Sequence, residues 1–389
     1  MIYYNRRRPG FYSLIVLILL FCPFSGFASG EKTEKFDPGT FIVSHITDSY
    51  GWHLAGEGEK SIGIPLPVIL IDNGKPVFFM SNKFHHGHAA YHGYALGFTP
   101  ETKGGIVKLG GEHSEYTGLL EENKTYLLDT QASLIDVSIT KNVCALFISI
   151  ILLSIIFLSV AKQYKRREGK APKGLQSLLE PVILFIRDEI AIPSIGEKKY
   201  KKYLPYLLTL FFFILFNNLM GLIPIFPGGA NLTGNLAVTG VLALLTFLIT
   251  TFSGNKNYWK HIFNTPGVPW WLKFPVPLMP IVELIGIFTK PFVLMIRLFA
   301  NITAGHIIIL GFLGLIFIFG EMTPALGYGV SVVSIIFYLF MGLLELIVAF
   351  VQAFVFTLLT ALYVGLAIEE HHEEAIPTSS TNENIEQKP

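Results

Sequence analysis

The sequence carries little charge for its length, and this shortage sets the class of protein. Asp, Glu, Lys and Arg make up 15% of the 389 residues, against 51% hydrophobic residues, whereas soluble domains carry about 25% charged residues. The mean hydropathy is +0.53. This composition excludes an ordinary soluble protein. The formal net charge of +1 hides a strong segregation of charge by segment. No nucleic-acid partner is expected.

The sequence has few cysteines and lacks two common hydrolase motifs. The two cysteines, Cys22 and Cys144, both lie in apolar runs, so they predict neither a disulfide framework nor a metal-thiolate site. Neither GxSxG nor HExxH occurs, which argues against an intramembrane enzyme. We find no convincing internal repeat of the kind that secondary transporters carry, although an independent ion-coupled transporter stays the alternative class. No cofactor is expected.

Residues 1–29 are typical of a secretory signal peptide. Three arginines at 6–8 precede an apolar run from Phe11 to Phe21, and small residues follow at 28–30, where we expect cleavage. An uncleaved anchor is the alternative. Lipidation of Cys22 is rejected, because a bulky phenylalanine precedes it where a small residue is needed.

Residues 30–140 form a polar extension for which we predict a small β-rich domain outside the membrane. Its short runs of β-branched and aromatic residues are broken by Gly, Asp and Asn. These runs are Gly39–Ile46, Ile64–Ile71, Pro76–Met80 and Thr125–Ile139.

A histidine cluster in this extension has three interpretations. It comprises His85, His86, His88 and His92. Metal binding is the sharpest hypothesis, but local carboxylates are few and no cysteine is near. Solvated or hydrogen-bonding histidines are the simpler interpretation. A role in feeding protons to a channel mouth stays open too.

Three apolar segments are long enough to cross the ~30 Å hydrocarbon core. They are about Asn142–Ala161, Leu204–Ile225 and Leu236–Phe252. Basic residues follow the first segment between 162 and 202 and the third between 256 and 273, and such residues favour the cytoplasmic side. We therefore expect residues 30–140 to be periplasmic, in a bacterial inner membrane.

Between the first two spans, Leu175–Ile195 alternates apolar and charged residues at helical spacing. This pattern predicts an amphipathic helix on the cytoplasmic membrane surface. The residues turned towards water would be Glu180, Arg187, Asp188 and Glu189. Four asparagines near the outer end of the next hairpin either bond helix to helix or line an aqueous access path; they are Asn217, Asn218, Asn231 and Asn235.

The last two hydrophobic elements, Pro280–Phe317 and Tyr328–Ile368, are too long for upright spans. At ~1.5 Å per residue the second would reach about 60 Å, twice the hydrocarbon thickness. A strong tilt or a break must absorb the excess. The predicted fold class is therefore an all-α polytopic membrane protein with about five membrane helices, a strongly tilted C-terminal hairpin, the surface helix and the β-rich extension. The membrane domain would span residues 141–370, and residues 371–389 would form a disordered cytoplasmic tail.

Arg297 is the costliest residue in these elements, because an arginine at bilayer depth is unfavourable by at least ~2.5–3.5 kcal/mol. At ~100° per residue it shares one helix face with Ala300, Asn301, Ala304 and Ile308, while His306 falls nearly opposite. The small residues would let another helix approach closely. The alternative is an arginine that snorkels to a headgroup, which its distance from either flanking loop disfavours.

Three polar residues of the last element, Glu345, Gln352 and Tyr363, fall on one line of a helix. We expect this line to face Arg297, Asn301 and Glu283 across the hairpin. The alternative is an internal hydrogen-bonded seam with no functional role.

The string RLFANITAGH with Glu283 upstream, the later AFVQAFVFTLLTALYV and the earlier LFNNLMGLIP resemble subunit a of the F-type ATP synthase. The resemblance covers roughly residues 140 to 370, so residues before about 140 lie outside the common core. It implies a non-catalytic stator subunit of the F0 proton channel. The implied partners are the c-subunit ring, the b-subunit peripheral stalk, the rest of F1F0 and the bilayer.

The resemblance also implies roles for single residues. Arg297 would act on the c-ring carboxylates and block a leak, with Gln352 beside it. The proton path would comprise Glu283, Asn301, His306, Glu345 and Tyr363. Glu283, His306 and Glu345 would match polar positions on the periplasmic side, and some relatives exchange the last two residue types. Whether H⁺ or Na⁺ is carried stays open, because ion choice lies largely in the partner.

The topology gives a first testable prediction. A cysteine placed in the 30–140 extension should react with an impermeant thiol reagent added to intact cells stripped of outer membrane, because the basic residues hold the opposite ends inside. The control is a cysteine at 162–173, which should react only in inverted vesicles. Labelling of the extension solely in inverted vesicles would reverse the topology.

Overall fold

The computed structural model describes residues 37–55, 62–97, 102, 104–120, 126–129, 133–223, 226–263 and 278–369. The predicted signal peptide (1–29) and tail (371–389) lie outside these residues. From Pro38 onward the described residues belong to one compact unit.

The N-terminal segment, residues 38–140, begins with helix α1 (Pro38–Ile46). The strand predicted over Gly39–Ile46 is therefore wrong. A proline in the first helical turn costs no hydrogen bond, because its missing N–H would have no partner there. The helix also packs against a long membrane helix, residues 278–322, and such tertiary contacts outweigh the β propensity of a short run.

The rest of the segment consists of short antiparallel strands, as predicted for a strand-rich region. They are β1 (Gly51–Ala55), β2 (Ile62–Pro65), β3 (Pro67–Asp72), β4 (Lys75–Met80), β5 (Ala89–Ala90), β6 (Tyr94–Leu96), β7 (Ile106–Lys108), β8 (Gly118–Leu119) and β9 (Leu134–Asp136). One sheet has the order β4-β3-β9, and the other strands pair as β1-β2, β5-β8 and β6-β7. The predicted Ile64–Ile71 run divides between β2 and β3. Of the Thr125–Ile139 run, only β9 is a named strand among the described residues.

Strand β3 forms the core of this segment because its alternate residues Val68, Leu70 and Asp72 point inward. Asp72 accepts a hydrogen bond from the Tyr94 hydroxyl at 2.8 Å and pairs with Lys108 Nζ at 2.5 Å. The Lys108 hydrogen bond holds the pKa of Asp72 below its usual value, while burial raises the pKa of Tyr94 to about 12. The buried carboxylate is thus compensated, as burial requires.

Five described helices are long and apolar enough to cross a membrane, which confirms the predicted fold class. They are α2 (Lys141–Arg166), α5 (Tyr200–Leu222), α6 (Leu236–Ser253), α8 (Leu278–Met322) and α9 (Pro324–Ile368). Between them lie α3 (Leu175–Phe185), α4 (Ile192–Ile195) and α7 (Lys256–Phe263). Helices α8 and α9 have 45 residues each, about 68 Å at ~1.5 Å per residue. Their length exceeds the prediction because Thr323 alone separates them and caps α9 by accepting from Leu326 N at 3.3 Å.

The surface segment predicted as one helix over Leu175–Ile195 has three parts: α3, a π-helical stretch (Ile186–Ala191) and α4. Pro193 lacks an N–H, so it cannot continue the α-helical hydrogen-bond ladder from the preceding turn. Asp188 and Glu189 are exposed, whereas Ile186 and Ile190 are fully buried among residues of α5 and α9. The amphipathic pattern therefore persists through the change of helix type.

The last turn of α9 is held by side chains from two other elements. Lys199 Nζ and Asn255 Nδ2 donate to the Ile368 carbonyl at 3.2 and 2.8 Å, and Asn255 N donates to the Ala367 carbonyl at 2.9 Å. Carbonyls at a helix C-terminus have no partner inside the helix, and a cation there is favourable. The end of α9 is thereby fixed against the α4–α5 and α6–α7 connections.

Gly365 marks the closest approach of α9 to the surface segment, which gives a second prediction. A Cβ at Gly365 would overlap the Ser194 carbonyl oxygen, whereas a Cβ at Gly329 on the same helix would meet nothing within 4 Å. Gly365→Ala should lower the thermal stability and yield of the subunit, while Gly329→Ala should leave them unchanged or raise stability by the ~1 kcal/mol helix preference of alanine. Thermal unfolding of the purified protein in detergent measures both. Equal stability of the two variants would show that the backbone contact is dispensable.

Candidate functional site

Helix α8 presents one face to the protein and leaves the opposite face uncovered. Leu294, Leu298 and Ile302 are 1–2% exposed and pack in the main apolar core. Arg297 is half-buried at the border of the two faces. The exposed residues around it are Ala300, Asn301, Ala304 and Ile308. The face predicted from helical spacing is therefore available to a partner.

His306 lies on the covered face and pairs with Glu345 of α9. The His306 Nδ1 atom is 2.6 Å from Glu345 Oε1 and 3.0 Å from the Ile302 carbonyl. Its Nε2 atom is 3.4 Å from the Gly221 carbonyl of α5. Glu345 is only 4% exposed. The pair therefore joins three membrane helices at one point.

Glycine 305 makes this pair possible. A Cβ at that position would lie 2.8 Å from Glu345 Oε1, which is too close for real carbon atoms. The absence of a side chain lets the Glu345 carboxylate lie directly against the α8 backbone beside His306. The sequence placed both titratable residues in the site, but nothing in their spacing indicated that they touch.

Glu283 is not near this pair, which corrects its assignment to the same side of the membrane. At ~1.5 Å per residue it lies about 35 Å from His306 along α8. There it lines a cavity of about 170 Å³ together with Tyr258, His261, Lys290 and Glu369. Burial raises the pKa of Tyr258, and the nearby Glu283 charge adds to the increase. Glu283 thus belongs to the end of the molecule where α9 terminates.

A second cavity, of about 20 Å³, shares Tyr258 and Lys290 with the first and is large enough for about one water molecule. Lys290 Nζ lies 5.6 Å from the centroid of the Tyr363 ring in its wall. The three residues of α9 that we expected to face Arg297, Asn301 and Glu283 have separate surroundings. Glu345 contacts His306, Gln352 is 8% exposed within the packed part of α9, and Tyr363 belongs to the cavity.

Threonines of α6 form a polar lining that the sequence did not indicate. Thr246, Thr250 and Thr251 line the smaller cavity. Thr246 Oγ1 is 3.0 Å from the Tyr206 hydroxyl and 3.4 Å from Thr360 Oγ1. Threonine does not interrupt an apolar run, so the only signal was the spacing of Thr246 and Thr250 by one helical turn.

The four asparagines near the α5–α6 loop (residues 226–235) take part in helix and loop bonding. Asn218 accepts from Thr233 Oγ1 at 2.6 Å and donates to the Ala349 carbonyl of α9 at 3.0 Å. Asn217 donates to the Phe213 carbonyl at 2.7 Å. Asn231 accepts from Gly234 N, and Asn235 caps α6 by accepting from Ala237 N. Of the two interpretations, helix and loop bonding is the one that these contacts support.

The histidines of the extension do not form a ligand set in the described part of the chain. His85 lies in the 3₁₀-helix over Ser81–Gly87, where His86 also falls, and His88 and His92 follow it. Among the described residues, no three His, Cys, Asp or Glu side chains come together as metal ligands would.

Comparison with known proteins covers both parts of the chain. Residues 143–365 match the family model for the ATP synthase A chain, and residues 41–136 match a model described as a domain of unknown function.

Curated relatives extend this result. ATP synthase subunit a of Chloroherpeton thalassium is 44% identical over 249 residues, covering 62% of this chain and 70% of that protein. ATP synthase subunit a of Myxococcus xanthus is 44% identical over 248 residues, covering 62% of this chain and 77% of that protein. ATP synthase subunit a of Chlorobium phaeobacteroides is 38% identical over 336 residues, covering 80% of this chain and 94% of that protein. A family model matching more than half of the chain, with identities of this size, leaves one assignment: the chain belongs to the ATP synthase subunit a family.

Proposed function

We propose that this chain is the ion-translocating stator subunit of F0, in which Arg297 separates two half-channels and acts on the carboxylates of a c-subunit ring. The observation that carries the proposal is the position of Arg297. It is half-buried at the edge of the uncovered face of α8, between two polar sites. At ~1.5 Å per residue the His306–Glu345 pair lies about 14 Å away along the helix, and Glu283 about 21 Å away in the opposite direction.

The two polar sites are suited to moving protons to and from opposite sides of the membrane. Histidine and a carboxylate in contact can exchange a proton near neutral pH, and we assign the His306–Glu345 pair to the periplasmic half-channel. The cavity lined by Glu283, His261 and Glu369 contains groups that can accept and release protons near bulk water. We assign it, with the smaller cavity beside Tyr363, to the cytoplasmic half-channel.

Arg297 supplies the electrostatic step between them. Its positive charge favours the ionised form of a partner carboxylate, so an incoming protonated acid releases its proton. When the ring turns and carries that acid into the lipid, the acid must be protonated again, because an ionised carboxylate in lipid is costly. The arginine also repels a proton that would pass directly from one half-channel to the other. Rotation of the ring is then the only path that joins both sides.

The remaining predicted residues take supporting roles in this proposal. Asn301, exposed one helical turn from Arg297, would contact the ring, and Gln352 would hydrogen-bond near the arginine from α9. The b-subunit stalk would hold the subunit against the rotating ring. The N-terminal segment would be periplasmic and the tail after Glu369 cytoplasmic, in an inner membrane.

The third prediction tests Arg297. Arg297→Lys keeps one charge but loses the planar guanidinium with its five donors, so ATP-driven pumping in inverted vesicles should fall to background. Arg297→Ala should in addition raise passive proton permeability, because the barrier charge is gone. Both variants should assemble, since the side chain lies at the border of an exposed face rather than in the core.

Arg187→Lys is the matched control. Arg187 pairs with Asp188 on the surface segment, at 2.6 Å, and exposed ion pairs contribute little, so pumping should be unchanged. Normal coupled pumping by Arg297→Ala, at equal subunit levels, would remove the arginine from the mechanism.

The fourth prediction tests the titratable pair. His306→Leu and Glu345→Leu should each slow pumping at least about tenfold, because each removes one member of a proton relay. The exchange His306→Glu with Glu345→His keeps one group of each kind in contact and should recover part of the rate. Glu112→Leu, an exposed glutamate of the N-terminal segment, serves as control. Full pumping by both single variants would make the pair structural.

A further inference from the structure

The N-terminal segment is attached to the membrane helices by more than the chain itself. Asp48 accepts hydrogen bonds from Thr140 Oγ1 at 2.7 Å and from Asn142 N at 3.0 Å, so its carboxylate caps the start of α2, where negative charge is favourable. In the reverse direction, Lys141 Nζ donates to the carbonyls of Thr47 and His45 at 3.1 and 3.4 Å. Lys141 is only 7% exposed. The end of α1 and the start of α2 are therefore joined reciprocally.

A second attachment reaches the α5–α6 loop. Trp52 of β1 is 3% exposed and lies in an apolar cluster with Ala145 of α2 and Ala230 of the loop. Its ring centroid is 5.1 Å from that of Phe226, in an edge-to-face arrangement. Aromatic pairs of this geometry contribute beyond their buried area. A side chain of the N-terminal segment therefore packs directly against the α5–α6 loop.

The same loop lies beside His306 of the pair. A Cβ added at Gly221 would be 3.5 Å from the Ala230 carbonyl and 3.6 Å from His306 Nε2, so Ala230 and the imidazole lie against the same turn of α5. Thr303 Oγ1 donates to the Gly234 carbonyl at 3.5 Å. Thr233 is linked through Asn218 to the α9 backbone at Ala349, one helical turn after Glu345.

We propose that the N-terminal segment is a built-in clamp, in which Trp52 positions the α5–α6 loop beside His306 of the His306–Glu345 pair. The loop sequence is rich in glycine and carries no charge, so ordering it is costly in conformational entropy. Burial of a tryptophan at one end and the Asn218 bonds at the other offset that cost. The effect of the clamp on proton flux rests on the proposed function. The contact of Trp52 with the loop does not depend on it. Trp52 is a positioning residue, acting through the loop backbone.

The experiment uses the assembled synthase in inverted vesicles and compares Trp52→Ala, Trp52→Phe, Phe226→Ala and the double alanine variant. Two quantities are measured: hydrogen–deuterium exchange of residues 228–235, and the rate and pH profile of ATP-driven proton uptake. In Trp52→Ala the loop amides should exchange about tenfold faster or more, as in a locally opened segment. Pumping should fall severalfold and its pH profile should shift, because the backbone beside His306 moves.

Trp52→Phe keeps an aromatic edge and should restore both quantities. The effects of Trp52→Ala and Phe226→Ala should not add in the double variant, because both substitutions remove the same contact. Phe78→Ala, at a 66% exposed position of the same segment, is the matched control and should change neither. If Trp52→Ala does not accumulate in the membrane, Phe226→Ala tests the clamp in its place. Phe226 is 43% exposed and is not part of the core of the N-terminal segment, so this variant should still fold.

Unchanged loop exchange in both Trp52→Ala and Phe226→Ala overturns the clamp, as does slower pumping without faster loop exchange. His306→Leu in the same vesicles separates the two proposals. If His306→Leu slows pumping at least about tenfold while the Trp52 variants behave normally, the clamp fails and the proposed function stands. If it pumps normally while Trp52→Ala opens the loop, docking stands and the proton-path role fails.

Discussion

A charged side chain inside the hydrocarbon region must be paired, hydrogen-bonded or in contact with water, and α8 and α9 are arranged around that requirement. His306 and Glu345 meet it within the chain, at 2.6 Å and with the α5 backbone beside them. Arg297 lies instead at the edge of an uncovered face. In the proposed function, the carboxylate of a partner supplies the opposite charge for Arg297. In that proposal the internal pair delivers protons, and Arg297 contacts the partner.

Close backbone approach is the second condition that this arrangement needs. Glu345 reaches the α8 backbone only because residue 305 is glycine, and α9 meets the surface segment only because residue 365 is glycine. Without these approaches, two helices of 45 residues could still cross a membrane, but their polar residues would not meet. Small residues therefore allow close approach at the interior contacts. Ala300 and Ala304 likewise leave room for another helix on the uncovered face.

Hydropathy and charge predicted the five membrane helices, and helical spacing predicted the uncovered face beside Arg297, because both depend on local sequence. The features that depend on tertiary contacts were not predicted. The run at residues 39–46 has β propensity yet is a helix, since it packs on α8. The resemblance placed His306 and Glu345 in the proton path, but it could not show that the two side chains touch across two helices. Glu283 was grouped with them by resemblance, although its position along α8 places it at the opposite end.

The proposed function places opposite demands on the two faces of α8. In that proposal one face of α8 exchanges contacts each time a ring carboxylate passes Arg297, while the other face keeps His306 in contact with Glu345. A helix that shifted with its partner would break the pair and open water between the two polar sites, and ions would then cross without rotation. Rigidity on the covered side is therefore a condition for coupling. The core residues Leu294 and Leu298 and the loop bonds around Asn218 supply that rigidity from within the membrane. Contacts from the N-terminal segment reach the membrane helices at two separate points, the start of α2 and the α5–α6 loop.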